Sequence, residues 1–390
     1  MPLSSPNPYA AGAGVAPPAL TGREAEIDHC RELLTALEQR AFENSLLIAG
    51  VRGVGKTCLL NEFEKIAEEA EWQCEMYEVQ NGSDVPAALA RIFRKVLLEL
   101  STKEKVKDRA LQALRVLKGF TASIGGVEFT LDVDAIAGKA DSGAFREDLK
   151  DLLLEVGEVA AANGKGVLIL IDEIQLVEGD HYEALIVALH RVVQKNLPIA
   201  FIGAGLPTSR SISAETKTYV ERMFITPTLG PLDHDDARAA LADPAKARGV
   251  RYEPEALDKI LEYSDRYPFF LQKYGRQVWR LADASPITGE IVEAAQPIVQ
   301  ADLDQSFFAF RISTATPREV EYMAAMAALG DGPQSVSEIA AKAGYTSSTA
   351  ASPHRDALLK KNLVWAPERG LLEFTAPLFA DCLRRNHPIG

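Results

Sequence analysis

Gly50-Val51-Arg52-Gly53-Val54-Gly55-Lys56-Thr57 decides the fold. An apolar run, SLLIAG from Ser45 to Gly50, enters it, and KTCLLNEFEKIAEEA, apolar at helical spacing, leaves it. The pattern G-x-x-x-x-G-K-T between a strand and a helix predicts a loop that wraps phosphate groups. Glycines at 50, 53 and 55 let the backbone close around an anion, and the loop N–H groups with the helix N-terminus supply partial positive charge. Lys56 is expected to bridge the terminal phosphates of ATP, and Thr57 to ligate Mg2+. The expected nucleotide contacts run from Gly50 through Val51, Arg52, Gly53, Val54, Gly55, Lys56 and Thr57 to Cys58.

A second apolar run, VLILID, delivers Asp172 and Glu173 at its C-terminal end, where open parallel sheets bind ligands. Asp172 is expected to hold Mg2+, with Thr57. Glu173 is placed to polarise a water attacking the γ-phosphate.

The pattern around these two motifs alternates between strands and helices: CEMYEV, VLILID, PIAFIG and FITPTL separated by helical segments. That alternation predicts a mostly parallel sheet covered on both faces, an α/β P-loop NTPase core over residues 21–230. The stretch TASIGGVEFTLDV alternates about Gly125-Gly126 and predicts a hairpin inserted near 120–133. Residues 1–20 are rich in Pro, Gly and Ala and read as a flexible leader without a secretory pattern. From Pro231 the strand signal stops, and residues 231–315 read as a helical lid. Residues 316–390 show three helical segments and a strand pair, LVWAPERGLLEFT, the order of a winged helix-turn-helix, with Ser352 as the N-cap of the third helix and Pro353 as its first residue.

The chain has 390 residues, 47% hydrophobic and 25% charged, which suits a soluble protein of two or three cores. Its longest apolar run is far below the ~20 residues of a membrane helix, so no membrane contact is expected. Four scattered cysteines, without metal-ligand spacing, suit reduced thiols in a cytoplasmic protein. A net charge of -13 repels polyanions, so a nucleic-acid contact needs a local basic face.

The loop, the acidic pair, Thr21-Gly22-Arg23-Glu24 ahead of the first helix, the lid and the terminal winged helix together resemble the AAA+ and STAND-like ATPases of the origin-recognition-related group. The resemblance implies that Gly22 and Arg23 lie near the base or ribose. It implies that Pro268 in RYPFFLQ packs on adenine, although Arg266 stands where the family has glycine; alternatively Pro268 only starts a helix. AAA+ proteins carry a polar sensor after the strand PIAFIG, where this chain has Gly203-Ala204-Gly205; Thr208 or Arg210 takes that role, or Arg210 is a solvated loop residue. Arg222 in TYVERMF matches the arginine finger that stabilises transferring phosphoryl charge, or it pairs with Glu221.

The winged helix carries eight basic and eight acidic residues from Thr316 onward. A neutral domain binds DNA only with its charges segregated, for which His354, Arg355, Lys360 and Lys361 on the third helix and Arg369 in the wing are the candidates. The expected function is an ATP-binding and hydrolysing conformational switch of initiator-like architecture, associated with double-stranded DNA and able to form homo-oligomers. The alternative is a STAND-like signalling or defence switch whose winged helix contacts an unidentified protein. A small-molecule kinase is a weaker third, since no acceptor pocket is evident.

Overall fold

The computed structural model describes residues 6–10, 12, 14–125, 133–207 and 213–389. In chain order the first unit runs α1 (Glu24–Glu38), β1 (Ser45–Gly50), α2 (Lys56–Glu69), β2 (Gln73–Glu78), α3 (Val85–Ser101), α4 (Lys107–Ile124), α5 (Phe145–Asn163), β3 (Val167–Asp172), α6 (Gly179–Gln194), β4 (Ile199–Gly205), α7 (Ala214–Met223), β5 (Phe224–Ile225) and β6 (Thr228–Leu229). The helical α8 (His234–Lys246), α9 (Pro254–Ser264), α10 (Pro268–Leu281), α11 (Gly289–Leu303) and α12 (Ala309–Ser313) follow. The C-terminal unit is α13 (Pro317–Leu329), β7 (Gln334–Ser335), α14 (Val336–Lys342), α15 (Ser348–Lys360), β8 (Val364–Trp365), β9 (Leu371–Phe374) and α16 (Phe379–Asn386).

The first sheet has the order β2-β3-β4-β1-β5, with β6 also on β1, and every pairing is parallel. β3 is buried along its whole length, and its side chains divide between two cores by the two-residue period of a strand. Leu168 and Leu170 join the core under α1 and α2, while Val167, Ile169 and Ile171 join the one under α3 to α6. The same alternation turns Asp172 toward α2. Its register brings the ends of β3, β4 and β1 to one level, Ile171 opposite Gly203 and Ala49 opposite Gly205.

The parallel α/β core matches the sequence reading, but three local expectations do not hold. Residues 120–124 close the helix α4 instead of opening a hairpin, because Val106, Ala110, Ala113, Leu117 and Phe120 form one buried helical stripe. The remainder of that hairpin, residues 126–132, lies outside the described residues. Nor are the described residues of the N-terminal segment a loose leader. Tyr9 is 5% exposed, donates its hydroxyl to Leu241 O at 2.6 Å and accepts from Tyr252 Oη at 2.8 Å, within the core of the helical region.

The third correction concerns α15. Ser347, not Ser352, caps it, accepting from Ala350 N–H at 3.2 Å, and Pro353 lies inside the helix. Pro353 offers no N–H to Thr349 O, and the Ser352 hydroxyl donates to that carbonyl instead, at 2.8 Å. His354 and Arg355 therefore sit well past the first turn. The strands β7, β9 and β8 form a small antiparallel sheet beside these helices.

The helical region and the C-terminal unit share one continuous core, from Leu232 to Leu383. A π-helical turn, Asp304–Phe308, leads from α11 into α12 and stacks Phe308 on Phe379 with ring centroids 5.4 Å apart. The boundary expected at 315–316 is thus not a break in packing. No described helix is long and apolar enough to cross a membrane, and all four cysteines are unpaired.

Candidate active site

The loop after β1 turns through Gly53 (φ 85°) and Gly55 (φ 95°), backbone conformations that side chains rarely adopt, and Gly55 has open space where a Cβ would stand. Lys56, 7% exposed, donates Nζ to Gly50 O at 2.8 Å and Val51 O at 3.1 Å. Burial lowers its pKa, against the pull of Glu173 and Asp172. Thr57 Oγ1 donates to Asp172 Oδ2 at 2.6 Å, so the two residues expected at a metal meet. Asp172 is 3% exposed, and burial raises its carboxyl above the ordinary range although Thr57 and the Glu173 N–H oppose it.

Glu173 occupies a left-handed conformation (φ 51°), uncommon for a residue other than glycine. Its carboxylate accepts from Gln175 Nε2 and stands 3.6 Å from Arg52 Nη1. Gln175 in turn accepts from Leu206 N–H at 3.0 Å, just past β4. A side chain at Gly205 would meet the amide oxygen of Gln175, so Gln175 occupies the space beside the end of β4. Thr208 and Arg210 lie outside the described residues.

Three separated segments hold the loop. Arg23, 9% exposed, donates to Gly22 O at 2.8 Å, Gly230 O at 2.9 Å and Val54 O at 3.3 Å, so its polar atoms serve backbone carbonyls. Gly22 faces Asp236 of α8 rather than the cleft. Pro268 both begins α10 and lines the cleft, and its neighbour Phe269 donates N–H to Gly53 O at 3.1 Å. The Arg52 N–H donates to Thr375 O of the C-terminal unit at 2.8 Å.

These pieces enclose a cleft of about 520 Å3, within the ~300–1,000 Å3 usual for small-molecule sites. Its apolar wall includes Val15, Pro17 and Leu20 of the N-terminal segment facing Pro268 and Phe269. Cys58 lines it too, with Sγ 3.4 Å from Val15 O. Gln175, the N-terminal wall and Arg311, which enters the cleft from α12, went unanticipated.

Arg222 is exposed at the end of α7 and, among the described residues, forms no ion pair with Glu221. The next strand residue, Phe224, pairs with Ser45, so Arg222 lies a strand length, about 17 Å at ~3.3 Å per residue, from the phosphate loop of its own chain. On the C-terminal unit, Lys361 Nζ is committed to Glu319 Oε2 at 2.6 Å and Arg355 to Asp356 at 2.8 Å, and the His354 ring packs 5.7 Å from Tyr345. Lys360 and Arg369 are exposed.

Residues 19–202 match the family described as the AAA ATPase domain, and residues 305–383 a domain of unknown function. The chain is 25% identical over 185 residues to human origin recognition complex subunit 4 and 26% to the rat protein, in each case 47% of this chain and 36% of the relative. The match thus spans about a third of the length of these relatives. Among solved structures, a Walker-type ATPase of Pyrococcus abyssi aligns at TM-score 0.52 and 17% identity over 94% of this chain and 96% of that one. The Aeropyrum pernix ORC1 protein in complex with DNA aligns at TM-score 0.45 and 16% identity, covering 94% and 93%. Loop, strand-end acids, parallel sheet and sequence match converge: residues 19–202 form a P-loop domain of the AAA ATPase type, and the chain is similar in sequence to part of origin recognition complex subunit 4.

Proposed function

We propose that the protein is an ATP-driven conformational switch in which nucleotide at Gly50–Thr57 governs how the C-terminal unit is seated. One observation carries this reading: successive parts of the phosphate loop are bonded to other units, Arg52 N–H to Thr375 O and Gly53 O to Phe269 N–H. A loop that reshapes around phosphate pulls on both.

The residues suit Mg2+ with ATP. Thr57 and Asp172 offer hard oxygen donors 2.6 Å apart, the donor type that Mg2+ prefers. The bound cation would neutralise phosphate charge. Lys56 leaves its two carbonyls for the β and γ phosphates. Glu173, oriented by Gln175, accepts the proton of an attacking water. Pro268 and the N-terminal wall cover the base, while Arg23 holds the loop in shape.

For the output we favour an association with double-stranded DNA, supported by the kinship to origin-recognition subunits. A second reading, a signalling or defence switch that contacts protein, draws on the neutral C-terminal unit and the internal commitment of Lys361 and Arg355. Calorimetric titration with MgATP tests the common core of both. Lys56→Ala should abolish measurable binding, and unchanged affinity would move the nucleotide elsewhere.

A further inference from the structure

Arg311 lines the cleft and, among the described residues, has no ion-pair partner. It follows the π-helical turn Asp304–Phe308, and such turns are frequent at functional sites. Its guanidinium lies 3.7 Å from the Phe307 ring centroid and donates Nη1 to Phe307 O, while Nε is buried with no hydrogen-bond partner. Among the described residues no carboxylate lies within ion-pair distance of it. The charges acting on it are Arg52, which opposes it, and Glu173. Burial and then Arg52 bring its pKa down to about 10, which leaves it protonated at neutral pH.

A partly dehydrated cation beside a second cation is unfavourable unless an anion completes the site. The cleft that holds Arg311 also holds Arg52, Lys56 and Thr57. The lid helix α10 brings no cation here: Phe269 follows Pro268, and Lys273 pairs with Asp302 at 2.7 Å. Among the described residues, Arg311 is the cation that reaches the cleft from beyond the sheet domain.

Resting on the nucleotide reading above, we propose that Arg311 distinguishes ATP from ADP by binding the terminal phosphate. The planar guanidinium is held by its stacking on Phe307 and by the bond from Nη1 to Phe307 O, and offers its remaining N–H groups to a phosphate. Its place in α12, between the π-helical turn and α13, makes that contact a direct link from the nucleotide to the C-terminal unit.

The test compares dissociation constants for Mg-ATPγS and Mg-ADP by calorimetry on the full chain, for wild type, Arg311→Met, Arg311→Lys and Lys56→Ala. Arg311→Met retains bulk over Phe307. It should keep ADP affinity within about threefold while lowering the preference for the triphosphate roughly tenfold or more, the scale of a charge-assisted contact. Arg311→Lys should restore part of that preference. An unchanged ratio in Arg311→Met, or equal loss for both nucleotides, would overturn the proposal and leave Arg311 a packing residue. If Lys56→Ala binds both nucleotides as wild type does, or if wild type binds neither, the P-loop reading itself falls and takes the proposal with it.

Discussion

The Arg52 N–H donates to Thr375 O at 2.8 Å, tying the third residue of the phosphate loop to the end of β9. Thr375 is 1% exposed, and its own hydroxyl donates to Asn362 O at 2.6 Å, fixing the carbonyl that the loop uses. Among the described residues this backbone bond joins the loop to the C-terminal unit, and a buried hydroxyl supports it.

Thr375→Val tests that seat while preserving shape. Loss of the buried hydrogen bond should cost about 1–2 kcal/mol, seen as a lower urea midpoint with unchanged slope. Release of fluorescent nucleotide should accelerate, because the loop loses a fixed anchor. If stability falls and release does not change, the seat is structural only.

Glu173 and Gln175 separate binding from chemistry. Glu173→Gln should retain MgATP and slow hydrolysis by roughly 10²-fold or more, since the amide cannot accept a proton. Gln175→Leu leaves the carboxylate in place but removes its orienting donor and the link to Leu206, and should lower turnover about tenfold at unchanged affinity. Undetectable turnover by the wild type would withdraw support from both roles.

Arg222 stands too far from its own phosphate loop to act there. A finger role requires a second copy, so specific ATPase activity should rise with protein concentration and Arg222→Ala should abolish the rise. Constant specific activity over the concentration range where the chain remains monomeric and where it associates would assign Arg222 to the surface.

What the sequence revealed follows from the range of the forces involved. The phosphate loop and Asp172-Glu173 depend on local spacing, and the structure brings them together through the register of β1, β4 and β3. The α4 stripe from Val106 to Phe120 was equally periodic, but Gly125-Gly126 suggested a hairpin where it ends a helix. Tyr9 carries only a weak local signal, and Arg311 none. Their environments are made by Leu241 and Tyr252 in one case and by Phe307, Arg52 and Glu173 in the other, and only the fold supplies those neighbours. A weak signal for Tyr9 was available, an aromatic residue in a segment read as flexible.

Glu319 gives the C-terminal unit a pH dependence. Burial raises its carboxyl, but Lys361 and the Thr316 N–H outweigh that effect and hold it below the ordinary value. A depressed carboxylate contributes stability above its unfolded pKa of roughly 4.3 and loses it as pH falls through the folded value. Glu319→Gln should therefore be less stable than wild type at pH 7, and the gap should close as pH drops below about 4. A gap independent of pH, measured by denaturant titration, would mean that the ion pair contributes nothing to folding.

The same pair decides how a DNA contact must be tested. Lys361 cannot serve phosphate without leaving Glu319, so Lys361→Glu would unsettle the fold and confuse the result. Lys360 and Arg369 are exposed, and their reversal to Glu should weaken binding to any duplex, with a log-log salt slope shallower by about one per lost contact. With α15 beginning at Ser348, base edges would meet the exposed Thr349 in the first turn before Arg355, which lies further along and pairs with Asp356. Thr349→Ala should then alter discrimination between sequences more than Arg355→Ala does. Absence of duplex binding by the full chain at low salt, with and without ATP, would remove DNA from the reading and leave the C-terminal unit to protein contacts. Binding that survives both reversals at unchanged slope would place the duplex on another face.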